Sequence, residues 1–488
     1  IVEMPNNVVK GILRARVYDV AVKTDLSEAK SLSARLQNNV LLKREDQQPV
    51  FSFKCRGAYN RMIRLSEEER ARGVIAASAG NHAQGVALSA KKMGIRAIIV
   101  MPKTTPNIKV NAVRSHGGEV VLIGDSYDDA SAHAKQLVEE KGMTYIHPYD
   151  DPDVIAGQGT IGMEICSQYS GHIDAIFLPV GGGGLAAGVA SYMKYVRPET
   201  KVIAVEPADA ASLKAAMDAK ERVVLDEVGI FADGVAVKQI GEETYRILSQ
   251  TIDDVLTVTT DEICASVKDM FDDTRAISEP AGAVALAGLK KYVQQQGVNG
   301  QTLVAISSGA NTNFDRLRYI SERTEIGERR EAVLAVTIPE KSGAFKTFCK
   351  TIGNRMITEF NYRYSDAGEA HVFVGIQVNP VTDDTSQLIT ALEAEGYAAQ
   401  DLTDNEMAKV HVRYMVGGRH PGVSDERLLR FEFPERPGAM SNFLARMSED
   451  WNISLFHYRN HGSAYGRVLV GLQVPHGDLQ ELCEAMDS

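Results

Sequence analysis

The chain contains no apolar run near the roughly 20 residues a helix needs to cross a bilayer, and no basic N-terminal stretch leading into a hydrophobic one. A cytoplasmic location is the expectation, although the sequence opens at Ile1 rather than at a methionine, which leaves room for a removed leader. Positive charge is not in excess either. The formal net charge is −11, and a nucleic-acid partner normally demands a basic face. Cysteine is scarce: Cys55, Cys166, Cys264, Cys349 and Cys483 are widely spaced with no Cys-x-x-Cys. Neither a disulfide framework nor a structural zinc is expected, and a reducing compartment fits. No glycine fingerprint follows the first strand-like run, which counts against a dinucleotide-binding dehydrogenase. These absences leave a globular protein of small-molecule chemistry. With 488 residues, 44% of them hydrophobic, it is too long for one ordinary core and has the apolar content to fill two or more domains.

Between about residues 37 and 320, β-rich runs alternate with helical stretches. Segments 40–43, 73–77, 97–100, 120–123, 175–178, 202–205 and 303–306 read as strands buried on both faces, the pattern of a largely parallel α/β sheet. Ligands of such sheets sit beyond the carboxyl ends of the strands, which singles out the loops after Ala77, Val180 and Ile306.

The last third repeats itself. Leu334 to Phe345 aligns with Leu429 to Met440 at an offset of 95; Ile357 to Arg363 then aligns with Ile453 to Arg459, and Val372 to Val378 with Val468 to Val474, at 96. Each copy reads as strand, Pro-x-x-x-Gly turn, helix, strand, hairpin, strand and helix, a small α/β sandwich. The first copy runs on to a strand near Tyr397, whereas the second stops at Ser488 inside its helix, so the expectation is either a truncated chain or a second unit without its last strand. The expected domains are 1–320, a polar neck at 321–330, and units at 331–415 and 426–488.

Four loops carry candidate chemistry. Lys54 lies in Ser52-Phe53-Lys54-Cys55-Arg56-Gly57-Ala58. A random lysine is a solvated surface residue, but Ser52 is placed to cap a helix starting near Phe53. Lys54 then falls in the first turn, where the helix dipole and Arg56 would both lower its amine pKa and favour attack on an aldehyde. Ser78-Ala79-Gly80-Asn81-His82 opens a helix after a strand, an arrangement suited to a substrate carboxylate, with the Asn81 amide available to a cofactor hydroxyl. The plain alternative is a well-capped helix with a packed histidine. Gly181-Gly182-Gly183-Gly184 costs on the order of 0.5–1 kcal/mol per glycine in chain entropy, more than a mere turn needs, and backbone approach to a phosphate would justify it. A looser alternative is a dinucleotide fingerprint, Gly182-x-Gly184-x-x-x-Gly188 with Glu206 downstream. Ser308 ends the last strand, and its hydroxyl suits a pyridine nitrogen. A hydroxyl in place of a carboxylate leaves the ring a weaker electron sink, favouring elimination at the β-carbon over transamination. A lysine for a Schiff base and glycines for a phosphate together suggest pyridoxal phosphate chemistry.

Taken in order, Ser52-Phe-Lys-x-Arg-Gly-Ala58, Ser78 to Gly85, Ala156-Gly-Gln-Gly-Thr160, the tetraglycine and Ser308-Gly-Ala-Asn311, followed by a duplicated tail, resemble biosynthetic threonine deaminase (threonine ammonia-lyase). That family lies in the tryptophan-synthase-like, fold type II class of pyridoxal phosphate enzymes. The resemblance covers essentially the whole chain, and the paired tail separates it from serine racemase and catabolic threonine dehydratase. It implies an α/β catalytic domain of two lobes plus two tandem ACT-like α+β regulatory units. It also implies conversion of L-threonine, with L-serine as a second substrate, to a 2-oxo acid and ammonia at the first step of isoleucine biosynthesis. A homotetramer, inhibition by isoleucine and activation by valine are further implications. By the same resemblance Lys54 carries the cofactor and removes the α-proton, while Phe53, Asn81, Gly181, Gly182, Gly183, Gly184, Leu185 and Ser308 bind pyridoxal 5'-phosphate. Ser78, Ala79, Gly80, Asn81 and His82 receive the substrate, and no metal is implied.

In each repeat the Pro-x-x-x-Gly turn precedes a helix and offers backbone donors to an amino-acid carboxylate, which makes Gly343, Ala344, Gly438 and Ala439 effector candidates. Tyr362 with Arg363 and Tyr458 with Arg459 stand at matching points and would serve equally well at an interface between the units. Two alternatives stay open from the residues themselves: a serine dehydratase, racemase or other β-replacement enzyme, and an amino-acid sensor whose catalytic domain is inactive.

Overall fold

The computed structural model describes residues 6–340, 344–353, 355–364, 368–379, 385–405, 407–408, 423–434, 451–459 and 465–474. The chain divides into two compact units, Ile1–Thr324 and Glu325–Ser488. Among the described residues no helix is long and apolar enough to cross a membrane.

The first unit holds two sheets. The larger has six strands in the order Leu26–Glu28, Asn39–Arg44, Thr302–Ser307, Ala175–Pro179, Lys201–Pro207 and Asp254–Val258, parallel except for the first pair. The smaller has four parallel strands, Glu119–Leu122, Ala97–Met101, Val74–Ala77 and Thr144–Tyr145. Their central strands are buried along nearly their whole length because helices cover both faces, and they are therefore apolar without alternation. Three strands escaped the apolar-run reading: Leu26–Glu28, Thr144–Tyr145 and Asp254–Val258. All three lie at sheet edges, where partial exposure dilutes the hydrophobic signal.

Helices Lys54–Met62, Pro152–Gln168 and Gly184–Val196 approach one another through glycines. A Cβ at Gly157 would stand 2.7 Å from the Arg56 carbonyl oxygen, and one at Gly188 would stand 2.4 Å from that of Ile155. The Ala156-Gly-Gln-Gly-Thr160 motif is thus a packing surface. Arg56 pins the first two of these helices together. Fully buried, it donates to Glu45 (2.8 Å to each carboxylate oxygen), Glu164 (2.7 and 3.0 Å) and Thr160 (3.1 Å), while the equally buried Lys43 reaches Glu164 at 2.6 Å.

The segment read as a neck is largely helical, Arg316–Gly327. It carries an Arg318–Glu322 pair at 2.9 Å one turn apart, and Thr324 bonds back to the Ile320 carbonyl. In the second unit, seven strands form one antiparallel sheet in the order Ala398–Asp401, Glu331–Pro339, Glu369–Gln377, Ile357–Arg363, Asn452–Arg459, Tyr465–Gln473 and Glu426–Pro434. The two repeats meet where Ile357–Arg363 pairs with Asn452–Arg459, each strand carrying a register shift at the same point of its repeat. The match reaches individual side chains: Thr358 donates to Glu331 in the first copy and Ser454 to Glu426 (2.6 Å) in the second.

Candidate active site

Lys54 is the first residue of its helix, and the segment before it is sewn to the end of strand Thr302–Ser307. Ser52 bridges Gly309, and the Phe53 N–H donates to the Ser308 carbonyl at 3.3 Å. Ser52 does not cap this helix. Phe53 holds the cap position in helical conformation with no side-chain bond, and the buried Ser52 hydroxyl has no partner. The Lys54 amine donates to the Pro148 carbonyl at 3.0 Å and lies 5.3 Å from the Phe53 ring centre. Withdrawal from water pushes its pKa down to about 8, and the charge of Glu279 opposes that shift. Arg56 takes no part in this lowering. Residues two apart on a helix point to opposite sides, and Arg56 is committed to Glu45 and Glu164.

The loop of Ser78, Ala79 and Gly80 leads from strand Val74–Ala77 into helix Asn81–Met93. Gly80 stands at the cap without a side-chain bond, and a Cβ there would meet nothing within 4 Å, so the helix start faces open space. Later in the same helix, Gly85 packs on the main chain of Lys54 and Cys55, where an added Cβ would stand only 3.0 Å from the Cys55 nitrogen and the Lys54 carbonyl carbon. Its first turn therefore lies beside the lysine. His82 approaches the Ile146 carbonyl through Nε2 at 2.8 Å; a carbonyl only accepts, so Nε2 carries the proton and Nδ1, buried and without a partner, is a bare acceptor. Burial, then the neighbouring Lys54 charge, pushes the His82 pKa down to about 3, which keeps the ring neutral. Asn81 donates from Nδ2 to Glu279 at 2.6 Å and accepts at Oδ1 from Asn311 at 2.7 Å.

The glycine run joins strand Ala175–Pro179 to helix Gly184–Val196. Gly183 caps that helix at φ +90°, a conformation that favours glycine, with no side-chain hydrogen bond to the helix start. A Cβ at Gly181 would fall 2.8 Å from the Val235 main chain, and one at Gly182 would fall 2.2 Å from the Tyr149 ring. Leu185 turns its side chain into the core, leaving only its main chain to a ligand. Ser308 is buried, its hydroxyl 3.3 Å from the Ala281 carbonyl. Glu206, the residue that lent the dinucleotide reading some weight, instead accepts from the N–H groups of Leu213 and Lys214, both at 2.8 Å, at the start of helix Ser212–Ala219.

The sequence reading overlooked three contributors here: Pro148, Tyr149 and Glu279. Glu279 is buried and its carboxyl is pushed up to about 7, first by burial and then by Asp233. Its position immediately before Pro280, which opens helix Pro280–Gln296, is the signal that pointed to it. Pro148 and Tyr149 belong to a six-residue link, Ile146 to Asp151, with no motif of its own.

In the second unit, Tyr362 and Tyr458 lie on the two strands that join the repeats, each facing a phenylalanine (Tyr362 with Phe456, Phe360 with Tyr458). The Tyr362 hydroxyl is bonded to Glu340 at 2.8 Å, and Asn452 of the other repeat reaches the same carboxylate at 3.4 Å. Arg363 pairs with Glu426, which fits an interface role. Ala344 opens helix Ala344–Ile352; Gly343, Gly438 and Ala439 lie outside the described residues, and of Arg459 only the main chain is described.

Comparison with known proteins adds to this geometry. Residues 17–309 match the family profile described as pyridoxal-phosphate dependent enzyme, and 322–412 and 417–488 match that of the C-terminal regulatory domain of threonine dehydratase. The chain is similar to the L-threonine dehydratase biosynthetic IlvA of Burkholderia multivorans, 59% identical over 97% of this chain and 94% of that one. The Salmonella typhimurium relative of the same name is 55% identical over 95% and 90% respectively. Among solved structures, the processed form of threonine deaminase isoform 2 from Solanum lycopersicum superposes with a TM-score of 0.64 at 51% identity, covering 65% of this chain and 92% of that one.

Proposed function

Since the chain belongs to the biosynthetic threonine dehydratases, a pyridoxal-phosphate dependent family, we propose how its own residues divide that work. The reaction is dehydration and deamination of L-threonine to 2-oxobutanoate and ammonia, the first step of isoleucine biosynthesis, by a fold type II catalytic domain followed by a regulatory region. Pyridoxal phosphate, when bound, supplies the electron sink for charge at the substrate's α-carbon. The residues present fit it: an amine of lowered pKa, a Gly183-capped helix start whose N–H groups no side chain caps, and a buried serine hydroxyl stand at neighbouring strand ends.

Lys54 holds the cofactor and takes the α-proton, since an amine near pKa 8 exists partly neutral at physiological pH. The N–H groups of Gly181 to Leu185 hold the phosphate at the start of a 13-residue helix. Asn81 presents its amide to the ring oxygen and Ser308 its hydroxyl to the ring nitrogen, with Phe53 alongside. Ser78 to His82 hold the substrate carboxylate at the uncapped start of helix Asn81–Met93; His82, neutral, contributes orientation rather than acid–base chemistry. The observation that carries this reading is the convergence of Lys54, His82 and the glycine run on one segment. Lys54 bonds the Pro148 carbonyl, His82 bonds the Ile146 carbonyl, and Gly182 packs on Tyr149.

The deciding assay is 2-oxo acid release from L-threonine and L-serine by the purified protein, with Lys54→Ala beside it. Turnover that survives in the variant overturns the assignment of Lys54. For the second unit the reading is inhibition by isoleucine and activation by valine, near Ala344, Tyr362 and Tyr458, in a cytoplasmic homotetramer. The paired repeats support two effector sites, and the test is a sigmoidal response to isoleucine together with sedimentation velocity.

A further inference from the structure

Glu279 has no part in the roles assigned so far, yet its carboxyl touches the residue that faces the ring oxygen. The residue is 3% exposed, and its main chain is fastened to the Ser308 loop through an N–H donated to the Gly309 carbonyl at 3.1 Å. Gly309 leaves room for it: a Cβ there would come within 2.3 Å of Glu279 Oε1 and 3.3 Å of Asn81 Nδ2. The two ends of an amide are alike in shape, so its partners decide which end is which. Asn311 donates both to the Val50 carbonyl at 2.8 Å and to Asn81 Oδ1 at 2.7 Å, which commits its two amide hydrogens and makes the Asn81 atom facing it an oxygen. Asn81 Nδ2 must then point the other way, where Glu279 Oε1 accepts one of its hydrogens at 2.6 Å. The second hydrogen stays available.

We propose that Glu279 is a positioning residue: by accepting from Asn81 Nδ2 it holds that amide so that the remaining N–H is presented to the cofactor's ring oxygen. This rests on Asn81 facing that oxygen, as read above. The carboxyl acts by its reach rather than by its charge. Its charged surroundings are Lys54 on one side and, on the other, Asp233 with its partners Lys109 (2.7 Å) and Arg316 (3.6 Å). The positive Lys54, Lys109 and Arg316 offset the negative Glu279 and Asp233 in part, and the direct hydrogen bond to Asn81 is the contact that carries the positioning role.

Two near-isosteric variants of the holoenzyme separate the possibilities. Glu279→Gln keeps an acceptor at the same reach and removes the charge; Glu279→Asp keeps the charge and withdraws the acceptor by one methylene. Each is measured without substrate, as the pH dependence of the bound cofactor's visible spectrum, and then for kcat and KM with L-threonine. The expected result is a wild-type spectral profile and kcat within about twofold for the glutamine variant. The aspartate variant should show a shifted profile and a kcat about tenfold lower, with KM changed less than about twofold. An aspartate variant that behaves as wild type, or a glutamine variant as impaired as the aspartate one, overturns the inference. The underlying reading fails separately, if Lys54→Ala retains the protein-bound chromophore or Asn81→Ala leaves its spectrum unchanged.

Discussion

Adding one methyl group at Gly182 should weaken cofactor binding, and the structure sets the size of the effect. The new Cβ would lie 2.2 Å from Tyr149 Cγ and Cδ1 and 2.4 Å from Cδ2. Carbon atoms rest about 3.5–4.0 Å apart, so something must move by more than about 1 Å. Rotating the ring does not help, because Cγ lies on the rotation axis. The main chain of Tyr149 is itself wedged, its carbonyl oxygen standing 2.9 Å from where a Cβ on Gly184 would be. On its other flank, Asp150 caps helix Glu242–Thr251 through the N–H groups of Glu242, Glu243 and Thr244 at 2.9, 3.0 and 3.2 Å. Overpacking of this kind costs about 1–3 kcal/mol. If the glycine loop yields, Gly182→Ala loses about 5- to 150-fold in pyridoxal phosphate affinity, read by titrating cofactor-stripped protein and following the visible chromophore. Tyr149→Ala removes the obstruction, so the double variant should bind close to Tyr149→Ala alone, a coupling of similar size and opposite sign. Wild-type affinity in Gly182→Ala, or simple addition of the two penalties, would refute the reasoning.

Arg56→Met leaves the Glu45 and Glu164 carboxylates buried with Lys43 as their remaining buried cation, so the first unit should lose about 3–5 kcal/mol, visible as an earlier denaturant transition. An unchanged midpoint would show that the network contributes nothing. In cofactor-stripped protein, the neutral Lys54 amine grows as pH rises towards its pKa of about 8, so the rate of pyridoxal phosphate uptake should climb to that point and then level off. A rate still climbing well above it would place the amine in water. Tyr362→Phe deprives Glu340 of its hydroxyl partner and should raise the isoleucine concentration for half-inhibition about tenfold, measured by 2-oxo acid release. An unchanged response would move the effector site elsewhere.

What could be read in advance divides along a physical line. The tetraglycine and the Lys54 segment were legible because each encodes a local backbone requirement within a few residues. The tail's repeat was legible because two copies of one fold must share their apolar pattern, and it is realised as the pairing of Ile357–Arg363 with Asn452–Arg459. The edge strand Asp254–Val258 was not legible, since its residues are mostly only partly buried and its apolar run is broken by Thr257. The roles given to Ser52 and Arg56 failed because nearness in sequence stood in for direction. Ser52 is taken into a bridge with Gly309, and Arg56 leaves the helix on the side away from Lys54.

The link from Ile146 to Asp151 shows why the remainder was hidden. Two of its carbonyls receive His82 and Lys54, its tyrosine ring lies against the glycine loop, and its two aspartates cap helices Glu242–Thr251 and Pro152–Gln168. The partners of its last five residues are spread from Lys54 to Thr244, so no local pattern could reveal them. Carbonyl oxygens contribute here without regard to side-chain identity, and each aspartate alone reads as an ordinary cap. Residues that do chemistry announce themselves by type, while those that aim them do so through main-chain position, which only the fold discloses. Glu279 belongs to the second class although it carries an ionisable group: its proposed effect runs through the direction of the Asn81 amide, two hydrogen bonds removed from Val50.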